Sequence, residues 1–334
     1  MFKNYFKIGW RNLKRHKAYT GINIIGLSLG IACAILIFTL IRFHLSFDNF
    51  HHDKEQIYRI NTEFHDETVN KNAAVPQPLG RAFRNDYTYA DATARVVSYH
   101  NVLISLPGEK EIKKFQEDKD KVAFAEPAFF KIFDFPLVSG DINTALDNPQ
   151  SAIITRKMAK KYFGAADPMG KTITLETKYN FTITGILRDI PNNTDRQQEI
   201  YLSYQDLRKY QPWLGSDSSW GGVYSGSQCF VRLKHGVSPA AVEKGMVSLS
   251  AKYYDAKDAK VWRFKVQPLD DIHWNTEMDG YADKKYMWAL ACIGLFLILT
   301  ACVNFVNLAT AQALNRSKEV GIRKVLGSLR QQLF

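Results

Sequence analysis

Residues 164–172 read Gly-Ala-Ala-Asp-Pro-Met-Gly-Lys-Thr, a run that invites a phosphate-binding reading. A P-loop places four residues between its first glycine and the Gly-Lys pair, so that backbone N–H groups curl around the phosphates. Here five residues intervene, and starting one residue later puts Ala165 where a glycine is required. Pro168 removes a donor, and a strand-like run follows instead of a helix. The expectation is a turn between a helix and a strand, with Gly164 and Gly170 supplying unusual backbone angles. His51-His52-Asp53 is the densest group of metal-ligand types. Adjacent side chains point in different directions, and no third ligand follows at a metal-site spacing. That cluster is expected to be a solvated turn. No Gly-x-Ser-x-Gly, His-Glu-x-x-His or Cys/His pattern occurs, and the acidic residues form no suggestive pair. The reading is therefore a non-catalytic chain without metal or cofactor.

Two other groups of residues carry interaction chemistry. Gly26-Leu27-Ser28-Leu29-Gly30 places glycines four apart in an apolar run, a spacing that lets a second helix approach closely. Asn315 to Ser328 mixes Arg316, Lys318, Arg323 and Lys324 with Val320, Ile322 and Leu326. Positive charge alone would stop a membrane span. Glu319, Gly321 and Gly327 go beyond that need, and the mixture suits a docking surface.

The elements that position these residues follow from hydropathy and charge. Gly21 to Ile41 and Met287 to Leu308 hold no charged residue, over 21 and 22 positions. Each matches the roughly 20 residues that cross a hydrocarbon core. Both exceed a signal-peptide apolar region of roughly 7–15 residues, and Ile41-Arg42-Phe43-His44 offers no small-residue cleavage site. The net charge of +11 hints at nucleic acid, but its location argues against that. Residues 1–20 carry +6 and residues 309–334 carry +4, leaving +1 for the rest. Positive flanks mark cytoplasmic ends, so both termini read as cytosolic and the long middle segment as translocated. The same charges suit anionic membrane lipid. Of the four cysteines only Cys229 lies outside the spans, so the middle segment has no internal disulfide.

The expected organisation is an amphipathic interfacial helix at 1–20, with Phe2, Phe6, Trp10 and Leu13 beside Lys3, Lys7, Arg11 and Lys14. A first transmembrane helix follows at 21–43, an outer domain at 44–284, a second transmembrane helix at 285–310 and a cytosolic segment at 311–334. Within the outer domain, residues 58–62, 94–98, 151–155, 172–175, 181–187 and 263–266 read as strands. Residues 79–85, 156–163 and 238–253 read as helices, the last opening with Ser238-Pro239 at N-cap and N1. Residues 211–227, rich in Gly, Ser and Trp, read as a loop. Without a regular βαβ rhythm the fold class is α+β, an extracytoplasmic domain inserted between two transmembrane α-helices.

Arg316-Ser317-Lys318-Glu319-Val320-Gly321-Ile322-Arg323-Lys324-Val325-Leu326-Gly327 resembles the signature of ABC transporter permeases of the MacB/FtsX type. Pro127-Ala128-Phe129-Phe130, Phe133-Asp134-Phe135, Ser139-Gly140-Asp141, Ala159, Tyr162-Phe163-Gly164, Asp167-Pro168-Met169-Gly170-Lys171 and Gly185-Ile186 are similar to the MacB periplasmic core domain. So are Trp10-Arg11-Asn12-Leu13 and the run from Phe47-Asp48 to Tyr58-Arg59-Ile60. The resemblance implies an inner-membrane, multi-pass subunit driven by a separate ABC ATPase docked on its cytosolic face. It implies a homodimer or a pair with a second permease, and a membrane-fusion protein in export systems. Residues Arg316, Glu319, Val320, Gly321, Arg323, Leu326 and Gly327 would then form the ATPase-coupling segment, and Gly26 and Gly30 a helix-packing face. ATP-driven closure would move the outer domains against substrates such as peptides, antibiotics, toxins or lipoproteins. Family members carry at least four spans, so a chain ending at Phe334 reads as a truncated permease or a fragment of one. Two other readings compete. An FtsX-like regulator of cell-wall hydrolases would have a smaller outer domain, and a two-span sensor would continue into a long helical signalling region.

Overall fold

The computed structural model describes residues 17–107, 112–118 and 120–327; the interfacial helix expected at 1–20 falls almost wholly outside the described residues. Five helices longer than a single turn are described: α1 Lys17–Leu45, α2 Leu79–Asp86, α3 Arg156–Phe163, α4 Pro239–Tyr253 and α5 Lys284–Val325. Two compact units result. One is helical and holds α1 and α5. The other runs from Ser46 to Asp283 and holds every strand.

The outer unit is built on one mixed sheet of β1 Ile57–His65, β2 Val69–Asn72, β3 Ala90–Tyr99, β4 Val102–Leu106, β5 Lys113–Glu117, β6 Val122–Ala125, β7 Leu137–Ser139, β8 Ser151–Thr155, β9 Thr172–Leu175, β10 Tyr179–Leu187, β11 Ile200–Ser203, β12 Ser227–Leu233 and β13 Trp262–Pro268. Its order is β13-β1-β12-β3-β6-β11-β8-β10-β9-β4-β5, with β2 beside β1 and β7 beside β10. Two pairs are parallel, β6 with β11 and β8 with β10; the others are antiparallel. The fold class is thus the α+β domain between apolar helices that composition and spacing indicate.

The three middle strands, β6, β11 and β8, are buried at every position. Because side chains alternate along a strand, these residues divide between two cores. Val122, Phe124, Ile154, Ile200 and Leu202 join one cluster with Met158 and Tyr162 of α3. Ala123, Ala125, Ile153 and Tyr201 join the other, around Phe129, Phe133 and Phe135. A third core lies under α2 and α4, against β1, β12 and β13. Local signals start the helices. Thr155 caps α3 by accepting from the Met158 N–H at 3.2 Å, and Ser238 caps α4 by accepting from Ala241 at 3.2 Å. Close approach fixes one glycine: Gly140 has φ +93°, and a Cβ there would lie 2.5 Å from the Thr184 carbonyl oxygen.

Several charged groups inside this apolar frame are paired. Glu126 accepts from both Nη atoms of Arg84 at 2.6 and 2.8 Å, and from the Arg95 guanidinium at 2.8–3.0 Å. Arg95 also reaches Asp217 at 3.0 Å and lies over the Tyr204 ring. Asp217 belongs to the Gly/Ser/Trp-rich segment 211–226, which the network thereby ties to the sheet. Burial pushes the Glu126 carboxyl up, but the hydrogen bonds from Arg84 and the charge of Arg95 outweigh it and hold it below its ordinary value. Arg59, only 1% exposed, donates to Gln267 Oε1 at 2.6 Å and to the Met278 carbonyl at 2.9 Å. Burial lowers its guanidinium to about 9.

Glu126→Gln leaves two guanidinium groups short of a buried counter-charge, so it should destabilise the protein at neutral pH by about 3 kcal/mol. A carboxyl whose folded-state pKa is depressed stabilises the fold above its unfolded value near 4.5, and that contribution fades as pH falls through the folded value. Urea unfolding followed by tryptophan fluorescence should therefore show a smaller loss of stability between about pH 5 and about pH 3 in Glu126→Gln than in the wild type.

Candidate coupling segment and helix-packing face

In the helical unit α1 and α5 run antiparallel. A Cβ at Gly30 would lie 3.5 Å from Ala301 Cβ and 3.6 Å from the Leu297 carbonyl, and one at Gly26 would lie 3.7 Å from Asn304 Nδ2. Farther along, a Cβ at Gly294 would lie 3.2 Å from Ile37 Cγ2. Positions 294, 297, 301 and 304 recur at helical spacing, so one stripe of α5 faces the glycine stripe of α1. Asn304 Nδ2 donates to the Asn23 carbonyl at 3.3 Å. Asn23 is buried, and its Nδ2 has no partner among the described residues. This polar contact inside two apolar helices was not foreseen, although an asparagine in each apolar run was the available signal.

Away from that stripe the helices expose large apolar side chains, including Ile22, Ile25, Leu36, Phe38, Leu295, Phe296 and Phe305. Water does not tolerate a belt of that kind, whereas lipid does. The two helices are long and apolar enough to cross a membrane.

α5 runs without a break through the segment singled out above, for 42 residues. At 1.5 Å per residue that is roughly 63 Å, about twice a hydrocarbon core. It ends where the Leu326 N–H meets the Ile322 carbonyl at 3.0 Å and the Gly327 N–H meets the Lys324 carbonyl at 3.2 Å. Gly327, at φ +85°, occupies the left-handed position that closes a helix. Val320 is half-buried, while Ile322, Val325 and Leu326 are exposed. A side chain at Gly321 would meet nothing within 4 Å. The side chains of Arg316, Glu319 and Arg323 lie outside the described residues.

Residues 164–171 form the turn between α3 and β9. Gly164 and Gly170 have φ +65° and +74°. The amides that would hold a phosphate are engaged elsewhere. Met169 N–H donates to Asp167 at 3.0 Å, Gly170 N–H to the Ile183 carbonyl at 2.8 Å and Lys171 N–H to the Pro168 carbonyl at 3.1 Å. The Lys171 ammonium lies over the Phe163 ring at 5.0 Å. The histidine cluster requires a correction. His52 is exposed, but His51 is 2% exposed and enclosed by Phe50, Phe133 and Phe135. Its Nδ1 accepts from the Asp134 N–H at 2.9 Å. Aromatic side chains some eighty positions away, invisible to local spacing, exclude the solvent. Among the described residues no three metal-ligating side chains converge. Cys229 is fully buried, and burial pushes its thiol up to about 12.

A mixed sheet domain that lies in the sequence between two lipid-suited helices defines a class of membrane protein with a folded insert. Residues 20–249 match the family described as MacB-like periplasmic core domain, and the chain belongs to that family. It is 23% identical to the "Macrolide export ATP-binding/permease protein MacB" of Neisseria gonorrhoeae, over 62% of this chain and 30% of that protein. It is 21% identical to the "Probable syringafactin export ATP-binding/permease protein SyfD" of Pseudomonas syringae pv. tomato, over 100% of this chain and 48% of that protein. The chain thus spans about half or less of the curated relatives it matches. A solved permease-protein domain from Porphyromonas gingivalis shares its fold, with a TM-score of 0.53 and 20% identity over 65% of this chain and 91% of that one. The chain is homologous to MacB-type ABC transporter permeases.

The packing stripe makes a prediction. Asn304→Leu removes one interhelical hydrogen bond and should weaken association of α1 with α5 by about 0.6–1.7 kcal/mol, the range such bonds show in bilayers. Gly30→Leu, which drives a side chain into Ala301, should weaken it more. Steric trapping of the helical hairpin in bicelles measures both; equal association in all three proteins would contradict the assignment.

Proposed function

We propose that this chain is the permease part of an ABC exporter, in which ATP hydrolysis by a separate ATPase moves the outer domain against substrate. The observation that carries the reading is the MacB-like domain lying between two apolar helices, the second of which continues as a basic helix past any bilayer core. A helix of that length reaches a partner in solution, and its last turns carry exposed Ile322, Val325 and Leu326 beside Lys318 and Lys324. Apolar anchors flanked by charge are what a docking surface needs. The coupling residues are then Arg316, Glu319, Val320, Gly321, Arg323, Leu326 and Gly327. Glu319 and Arg323 are spaced to pair on one helix face, worth only about 0.3–0.5 kcal/mol to the helix. Their value lies in orienting the partner.

In this reading both termini are cytosolic and the outer domain is periplasmic, because +10 of the +11 charge flanks the apolar runs on their terminal sides. The antiparallel pairing of α1 and α5 agrees, since it brings Gly26 and Asn304 to one end of the hairpin. The working unit is a dimer, or a pair with a second permease, and export as such would add a membrane-fusion protein. Substrate falls among peptides, antibiotics, toxins or lipoproteins.

The test uses the complete permease co-expressed with its ATPase. Glu319→Lys and Gly327→Leu should leave the amount in the membrane fraction unchanged, while co-purified ATPase falls about tenfold, a typical size for coupling between sites. Wild-type ATPase recovery in both variants would reduce the segment to a topological anchor. Orientation is checked by labelling Ser218→Cys and Ser328→Cys in intact cells. Only the first should react from outside; buried Cys229 cannot serve.

A further inference from the structure

One short loop holds both ends of the outer domain and leads straight into the middle of its sheet. Residues 191–196 precede β11 by four positions, and β11 is the sixth of eleven strands in the main order. On one side the loop grips the chain that has just left α1. Asn193 Nδ2 donates to the Ser46 carbonyl at 3.0 Å and to Ser46 Oγ at 3.1 Å. The Asp48 N–H donates to the Asn193 carbonyl at 2.9 Å, and the Thr194 hydroxyl donates to the Asp48 carboxylate. On the other side it grips His273, eleven residues before α5 begins at Lys284. Asp195 Oδ1 lies 3.1 Å from His273 Nδ1, with both side chains buried. Phe47 stacks on the His273 ring at 3.5 Å, which closes the ring of contacts.

The loop is braced against itself. Gln197 Nε2 donates to the Pro191 and Thr194 carbonyls at 2.9 and 2.8 Å, and the Arg196 N–H donates to Thr194 Oγ1 at 3.1 Å. Asp48 adopts φ +53°, an uncommon backbone conformation for a residue other than glycine. Asp48 and Thr194 are nearly inaccessible, at 3% and 2% exposure. Buried polar contacts of this kind have few alternative arrangements, because an unpaired group would bear the full desolvation penalty.

We propose that Asp48, Asn193, Thr194, Asp195 and His273 are positioning residues of a joint that makes β11 follow any movement of the two chain segments entering the domain. The proposal rests on the permease reading above, and it names where that movement enters the sheet. Hydrogen exchange in the permease–ATPase complex in nanodiscs tests it, comparing nucleotide-free protein with protein trapped by ATP and vanadate. In the wild type, trapping should change exchange of the β11 amides. The double variant Thr194→Val/His273→Phe keeps side-chain volume close to native. It should retain ATPase co-purification and a cooperative melting transition, while the nucleotide-dependent change at β11 falls about tenfold. A short bis-thiol crosslink between Ser46→Cys and Asn193→Cys, added to that variant in a cysteine-free background, should restore the response. A merely structural role would give neither the selective loss nor the rescue.

A wild-type response in the double variant, or failure of the crosslink to restore it, overturns the joint. ATPase binding without any nucleotide response at β11 also overturns the joint, and leaves the permease reading standing. If no ATPase associates with the wild type, the permease reading falls and the joint with it. Should the double variant lose its melting transition, Asn193→Ala, which removes only the two bonds to Ser46, decides the matter by the same readout.

Discussion

Burial of the middle strands on both faces governs the sheet unit, Ser46 to Asp283. Strands exposed on one side can lean on a single layer, but β6, β11 and β8 need cover above and below. α3 and residues Tyr204, Leu207 and Leu214 supply one layer, and the Phe129–Phe135 cluster supplies the other. That demand explains why the chain leaves the sheet so often and returns to it out of order, so that sequence neighbours such as β10 and β11 are separated by β8. It also explains the aromatic density around Phe129, where rings meet at centroid distances of 4.8–6.5 Å and fill volume with few rotatable bonds.

A sheet buried on both sides leaves little room for charge, and the charges that do enter are held in groups. Glu126 takes up the charge of Arg84 and Arg95, and Arg95 carries the connection outward to Asp217. The network adds a polar tie to residues 211–226, which also pack on the cores through Leu214, Trp220 and Tyr224. Among the described residues Arg59 has no carboxylate in its hydrogen bonds and relies on Gln267 and the Met278 carbonyl. This is the arrangement expected to lower a guanidinium, since neutral acceptors offset desolvation less well than a carboxylate.

What the sequence made legible follows from these same constraints. Residues 151–155, 156–163 and 172–175 were bounded as the structure bounds them, because a capping threonine and two glycines mark the changes of direction. β6 and β11 went unread. Val-Ala-Phe-Ala and Ile-Tyr-Leu-Ser are four residues long and apolar on both faces, so they show no alternation to detect. β4, β5 and β12 were missed as well; the last begins directly beside a Gly/Ser-rich run that reads as loop. His51 was misplaced for the opposite reason: polar His52 and Asp53 follow it, and Phe133 and Phe135, which bury it together with Phe50, lie some eighty positions on. The glycine spacing of α1 was visible in one helix, whereas its pairing with Asn304 depends on the register of two. The docking role proposed for the basic segment rests chiefly on resemblance, since charge and hydropathy alone do not tell a docking helix from a stop signal.

The two units solve different solvation problems, and the chain between them shows it. In lipid a backbone must satisfy itself, so α1 and α5 are unbroken and meet through glycine, alanine and a single asparagine contact. In water the same chain can rely on side chains, and within four residues of Leu45 it turns through the left-handed Asp48 and takes partners from a distant loop. A buried polar connection fixes the direction in which the first strand segments start, and Ile57 of β1 follows only nine residues later. The order of the sequence thus places the polar contacts of the 191–196 loop directly after α1, where the chain passes from an apolar helix to side-chain partners.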